Sequence, residues 1–379
     1  MSIRHSRQRG FSLVELMISL TLGSILTAAI VQLFVANADT YNMLQGQSRM
    51  QESARFALNF IGRSVRKAGY RGCFSSNAQL NTTINPADNL PYEFDLRTGV
   101  AGYNYDTITS AWVPVLDDLP ATVGGTDTNV FSTPAGGGVG NGIDTSAIAE
   151  GTDVLTLRNM SLRDYRLADD MSSSALDPAI ATSDFEFEED HLVMIHDCEK
   201  ATIFRITSMN GDTPSAGETS LSHDIADTDA TRNNTQLLAI VNSFQQDAAI
   251  SAIETNIYYI APGTGVNESG NTPLSLWRKA GMNAPTELVE GIESLQVLYG
   301  VDTADDGTAP NHYLSADEVA DWTAVETIRV SVVVNSIDDV GGTSTPTLGC
   351  TVQDCIAGQS FDGLIRRTFT QTFQLRNQS

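Results

Sequence analysis

Residues 11–38 read FSLVELMISLTLGSILTAAIVQLFVANA. No charged residue occurs from Leu16 to Ala36, and at a 1.5 Å rise that run covers roughly 30 Å, the thickness of a bilayer's hydrocarbon core. The stretch therefore predicts a membrane-spanning helix. One acid breaks its start: Glu15, a helical turn after Phe11. A carboxylate in the apolar zone costs about 2.5–3.5 kcal/mol on insertion scales, so it demands a functional partner. Ahead of it stands MSIRHSRQRG, with Arg4, Arg7 and Arg9 and a closing Gly10. A secretory signal would place its small-residue cleavage site after the apolar run, whereas here the punctuating glycine precedes it. The plain alternative is a single-pass anchor with an acid near one interface.

Gly10-Phe11-Ser12-Leu13-Val14-Glu15-Leu16-Met17 resembles the class III signal of type IV prepilins and pseudopilins. The resemblance implies cleavage by prepilin peptidase between Gly10 and Phe11, with the apolar helix retained and the new Phe11 amine N-methylated. It also implies that Glu15 pairs with that amine on a neighbouring subunit during assembly. Neutralisation of its own terminus, one turn away, is the alternative for Glu15.

Charge divides the chain of 379 residues unevenly. Residues 1–71 hold nine Lys/Arg and three Asp/Glu, while the remainder holds thirteen and forty-three. The leader arginines place the N-terminus in the cytoplasm and the acidic head outside, which is periplasmic for a bacterial inner-membrane protein. A head so acidic repels phosphate backbones, so no general nucleic-acid binding is expected. Cys73, Cys198, Cys350 and Cys355 all fall on the outer side, where an even count reads as two disulfides. Three pairings are open. Cys73–Cys198 with Cys350–Cys355 is preferred, and zinc is disfavoured because no second ligand pair has a suitable spacing.

Beyond the span, Met50, Ala54, Ala57, Ile61, Val65 and Ala68 recur at helical spacing, with Glu52, Arg55, Asn59, Arg63 and Arg66 opposite. This amphipathic half-helix needs a sheet to cover its apolar face. Gly69 and Gly72 supply the stop. Gln51-Glu52, Arg55-Phe56-Ala57, Ala68-Gly69-Tyr70 and Gly72-Cys73 resemble landmarks of the PilW family of minor pilins. Val289-Glu290-Gly291-Ile292-Glu293, Tyr299-Gly300-Val301-Asp302, Trp322 and Leu375-Arg376-Asn377 resemble it again near the other end. Many major pilins kink this helix with a proline at the position held here by Gln32.

Residues 74–151 are polar and glycine-rich and read as a long connection. Strands are expected at 154–158, 192–197, 201–207, 237–241, 256–261 and 274–279, then in ELVEGIESLQVLYGVD, WTAVETIRVSVVVNS and RRTFTQTFQLRNQ. The alternation of Ile328, Val330, Val332 and Val334 with polar neighbours predicts a half-buried antiparallel strand, and Phe369, Phe373 and Leu375 share one face of the last.

The expected fold is α+β and pilin-like: a long N-terminal helix packed on an antiparallel β-sheet, with an enlarged β-rich head. Its segments are a leader (1–10), a transmembrane and filament-core helix (11–38), the amphipathic half-helix (39–70) and the head (71–379). No catalytic motif emerges, and the five histidines are scattered. The acidic run Asp184, Glu186, Glu188, Glu189, Asp190 reads as a solvated strand face. Asp302–Gly307 echoes the start of a calcium loop, but Ala304 and Tyr313 occupy ligand positions, which favours a polar turn. No cofactor or metal is expected. The PilW resemblance implies a minor pilin in a priming or tip complex of type IV pili, partnered by other minor pilins and the major pilin, supporting adhesion, twitching motility or DNA uptake. Its rivals are a minor pseudopilin of type II secretion and an anchored calcium-dependent adhesin or hydrolase.

Overall fold

The structure, a computed structural model, describes residues 12–73, 79–83, 92–116, 122–123, 126–127, 142–171, 177–189, 191–209, 217–224, 244–281, 283–302, 310–340 and 363–377. One helix, α1 (Leu13–Lys67), runs unbroken for 55 residues, which at 1.5 Å each is roughly 80 Å. Gln32 lies inside it without interruption, since glutamine keeps the backbone N–H that proline lacks. Burial begins at Gly46 and continues through Met50, Ala54, Ala57, Leu58, Ile61 and Val65, the expected apolar stripe. Everything on the helix before Gly46 is exposed.

The stripe lies on a four-stranded antiparallel sheet ordered His312–Leu314, Ile292–Val301, Val325–Asn335, Arg366–Gln374. Ile328, Val330, Val332 and Val334 are buried on one face, in register with Phe373, Gln371, Phe369 and Arg367 of the last strand. Phe373 and Leu375 close the same core, with Phe369 half-buried beside them. Period-two alternation meets period-3.6 alternation here, each supplying the apolar face the other lacks.

A second, ten-stranded sheet extends the head. Its spine is the 14-residue strand Ala249–Pro262, whose first residues pair with Leu192–His196 and whose last pair with Leu274–Ala280. Val154–Met160 runs along its other side. This strand is buried on both faces, as the apolar run VLTLR suggests for a central position. Asp153 stitches the two sheets together: its backbone N–H donates to Leu295 O at 2.8 Å and its carboxylate accepts from Val297 N at 2.8 Å.

Three expectations change. Residues 74–151 are not merely a connection: Gln79–Thr82, Val100–Asp106 and Ala111–Val113 are strands of the larger sheet. Their local sequence is too polar and interrupted to reveal this, and hydrogen bonds from Lys200–Arg205 and Val154–Met160 recruit them. ELVEGIESLQVLYGVD splits at Gly291, whose φ of +81° turns the chain from one sheet into the other. The acidic run is not a strand: Phe187 is buried, and Glu186 accepts from Ser161 Oγ at 3.0 Å. The expected strand at 237–241 lies outside the described residues.

Candidate assembly surface

The apolar N-terminal half of α1 is bare on all sides. Leu13, Leu20, Ile25, Leu33 and Phe34 are among its exposed side chains, and its most apolar window has no buried residue. The hydroxyls in this stretch satisfy themselves. Ser19 Oγ donates to Glu15 O at 2.8 Å and Thr27 Oγ1 to Gly23 O at 2.8 Å, so they present little unpaired polarity to an apolar surrounding.

Glu15 belongs to the N-terminal cap. Ser12 Oγ accepts from Glu15 N at 3.2 Å, while the Glu15 carboxylate accepts from Ser12 N at 3.4 Å, a reciprocal capping box. Within one chain the acid thus has a local hydrogen-bond donor, at the long end of the range. Gly10 and Phe11 lie outside the described residues.

At its other end α1 is fastened by residues that sequence distance hides. Gly69 has φ +77°, and a Cβ there would meet Asn377 O at 2.7 Å. The Asn377 side-chain amide reaches within 3.5 Å of the Arg66, Lys67 and Ala68 carbonyls, the ones a helix terminus leaves unpaired. Gly69 N donates to Arg158 O at 2.9 Å. Arg158, itself buried, donates to Tyr92 O at 2.8 Å and stacks 4.3 Å from the Tyr92 ring. Ala68-Gly69-Tyr70 and Leu375-Arg376-Asn377 are therefore two halves of one junction. Gly69→Ala is expected to cost about 1–3 kcal/mol, from left-handed backbone strain plus the clash with Asn377. Urea denaturation followed by tryptophan fluorescence measures it, and an unchanged midpoint would refute the junction.

The Cys73–Cys198 disulfide is formed, tying the helix exit to the turn of the Leu192–Arg205 hairpin. Cys350 and Cys355 lie outside the described residues. Beside the bridge, His196 Nε2 stands 3.1 Å from Ser251 Oγ, which donates to Asp164 Oδ1 at 2.6 Å. This is no nucleophile constellation. The serine's proton goes to the carboxylate rather than the imidazole, and Ser251 is fully buried. Burial pushes His196 below the ordinary histidine value, against the raising pull of Asp164 and Asp197.

A cleft of about 400 Å³ holds Glu186, His191, Glu254 and Arg278. Glu254 is already held by Asn159 Nδ2 at 3.0 Å and Lys67 Nζ at 3.4 Å, and Glu186 by Ser161 Oγ at 3.0 Å and Arg163 Nη1 at 3.8 Å, so both carboxylates of the cleft are partnered within the fold. Among the described residues no group of three or more His, Cys, Asp or Glu side chains is placed to hold a metal. Of the calcium-like run, Asp302 directly follows the strand that ends at Val301, and residues 303–309 lie outside the described ones.

A bare apolar rod joined to a disulfide-tied, β-rich head is consistent with a membrane-anchored pilin. Residues 5–31 match the family model described as the prokaryotic N-terminal methylation motif, and residues 257–377 match PilW, described as type IV pilus-assembly protein W. The chain thus carries a prepilin-type N-terminus and a PilW domain, which support a type IV pilus-associated minor pilin. The matched PilW stretch spans Gly291, Glu293, Arg366 and Asn377, while the Gln51–Cys73 landmarks fall between the two matches. No curated protein and no solved structure matches the chain.

Nothing local in the sequence marks the roles of Asp153 and Arg158 or the pairing of Glu293 with Arg366.

Proposed function

We propose that this chain is a minor pilin of a type IV pilus priming or tip complex, supporting adhesion, twitching motility or DNA uptake. Prepilin peptidase removes residues 1–10, leaving an N-methylated Phe11. Residues 11–38 form the membrane anchor and then the filament core, 39–70 join core to head, and 71–379 form the periplasmic head. Before assembly the chain sits in the inner membrane with its N-terminus cytoplasmic. Its partners are the major pilin and other minor pilins.

The observation that carries this reading is the uncovered rod. Apolar helices gain packing partners in a bilayer only from lipid or from one another, and an acid at the start of such a rod needs a cation or donor once it is buried among them. Removal of the leader frees the α-amine of Phe11, a stronger partner than the 3.4 Å contact to Ser12 N.

Mass spectrometry of sheared filaments tests the processing, with an N-terminal N-methylphenylalanine expected. Glu15→Gln is expected to leave the head's stability unchanged and to lower filament incorporation by about tenfold or more, since an unpaired amine among apolar helices carries a penalty of a few kcal/mol. Full incorporation of that variant, or a filament form beginning at Met1, would overturn the proposal.

A further inference from the structure

The four-stranded sheet ends on a strand with an unusual edge. Arg366–Gln374 pairs with Val325–Asn335 on one side and, among the described residues, with no strand on the other. Soluble proteins blunt such edges with charges, proline, short length or a bulge. Here the seven residues Thr368-Phe369-Thr370-Gln371-Thr372-Phe373-Gln374 contain no charge and no proline, and their β-propensity is high. The opposite edge, His312–Leu314, is three residues long.

Helix α1 overhangs that open edge. Between them lies a groove of about 330 Å³, lined by Arg55, Leu58 and Arg66 of the helix and by Phe369, Gln371 and Phe373 of the strand. An added strand would lie about 4.8 Å beyond Arg366–Gln374, with alternate side chains pointing to the helix side, into this groove. Leu58 and the two phenylalanines offer apolar contact along it.

Arg55 and Arg66 line the groove, and Arg367 stands two residues before Phe369 on the strand. Arg55, Arg66 and Arg367 are exposed and make no ion pair among the described residues, in contrast to Arg49, held by Asp338 at 3.3 Å, and Lys67, held by Glu254. Residues 72–379 hold thirteen Lys/Arg against forty-three Asp/Glu, so these arginines set unpaired positive charge against an acidic head.

We propose that this edge and groove receive an extended segment from a different neighbouring subunit, added as a further strand. Its helix-facing side chains are apolar and its flanks carry carboxylates that meet Arg55, Arg66 and Arg367. Main-chain hydrogen bonds supply the affinity, and the groove and arginines select the segment. The inference rests on the pilin reading above, which supplies neighbours held side by side.

A photo-crosslinking amino acid placed in the full-length chain in its own membrane tests it, at Thr372 on the open edge, at Tyr313 on the opposite edge and at Leu20 in the membrane rod. The expected result is a Thr372 adduct with another subunit, several-fold stronger than at Tyr313. Arg55→Glu with Arg66→Glu should reduce that adduct about tenfold while the Leu20 adduct and the melting temperature hold. Equal adducts at both edges, adducts only within the chain or only between its copies, or indifference to charge reversal would overturn the inference. Loss of edge adducts with the Leu20 adduct intact refutes the docking site alone. Absence of the Leu20 adduct as well refutes the filament reading with it.

Discussion

Arg366→Ala is expected to destabilise the head by about 3–5 kcal/mol, because it strands a buried carboxylate. Arg366 Nε lies 2.6 Å from Glu293 Oε2 and Nη2 lies 2.8 Å from Oε1, a two-pronged pair whose side chains are only 8% and 13% exposed. Such geometry offsets much of the desolvation of both ions. Deleting one partner leaves the other desolvated and unanswered. The double replacement Glu293→Leu with Arg366→Met is expected to recover most of the loss, since an apolar pair of similar bulk removes both charges. Urea denaturation of the detergent-solubilised chain reads this out through Trp322, which packs edge-on against Tyr299 with ring centroids 4.8 Å apart. A single variant as stable as the parent would show that the pair is solvated in solution.

Cys73→Ser is expected to be nearly as costly, about 2–5 kcal/mol. The bridge joins residues 125 apart, and closing so long a loop removes much of the unfolded chain's freedom; the chain-entropy estimate is roughly 5 kcal/mol. It also holds the helix exit against the Leu192–Arg205 hairpin, so its loss should loosen the junction at Gly69. Cys198→Ser should match Cys73→Ser, and the double variant should cost no more than either. Additive losses, or an unchanged melting temperature in any of the three, would refute the bridge's role.

The two predictions differ in how they are legible. Four cysteines allow three pairings, the one with Cys73–Cys198 ties the helix exit to the sheet, and the structure forms that bridge. Glu293 and Arg366 gave no such cue. Each looks like a polar residue on the outward side of an alternating strand, and nothing local says that the sheet between them turns that side inward. The register does: Asn335 opposite Arg366 and Val334 opposite Ile292 bring two strand ends together beside Gly291.

Short-range periodicity and charge determined the rod, its apolar N-terminal half, its amphipathic continuation and the strands nearest the C-terminus, because side-chain spacing alone fixes which face must be hidden. Glu15 stood out for the same reason: a charge in an apolar run is conspicuous without any fold. Only the tertiary structure decided where the helix is fastened, which polar residues go under cover and which sheet edge has no strand partner among the described residues. Those depend on contacts such as Asn377 against Gly69 and Val100–Asp106 against Val154–Met160, made between segments whose own sequences specify neither partner.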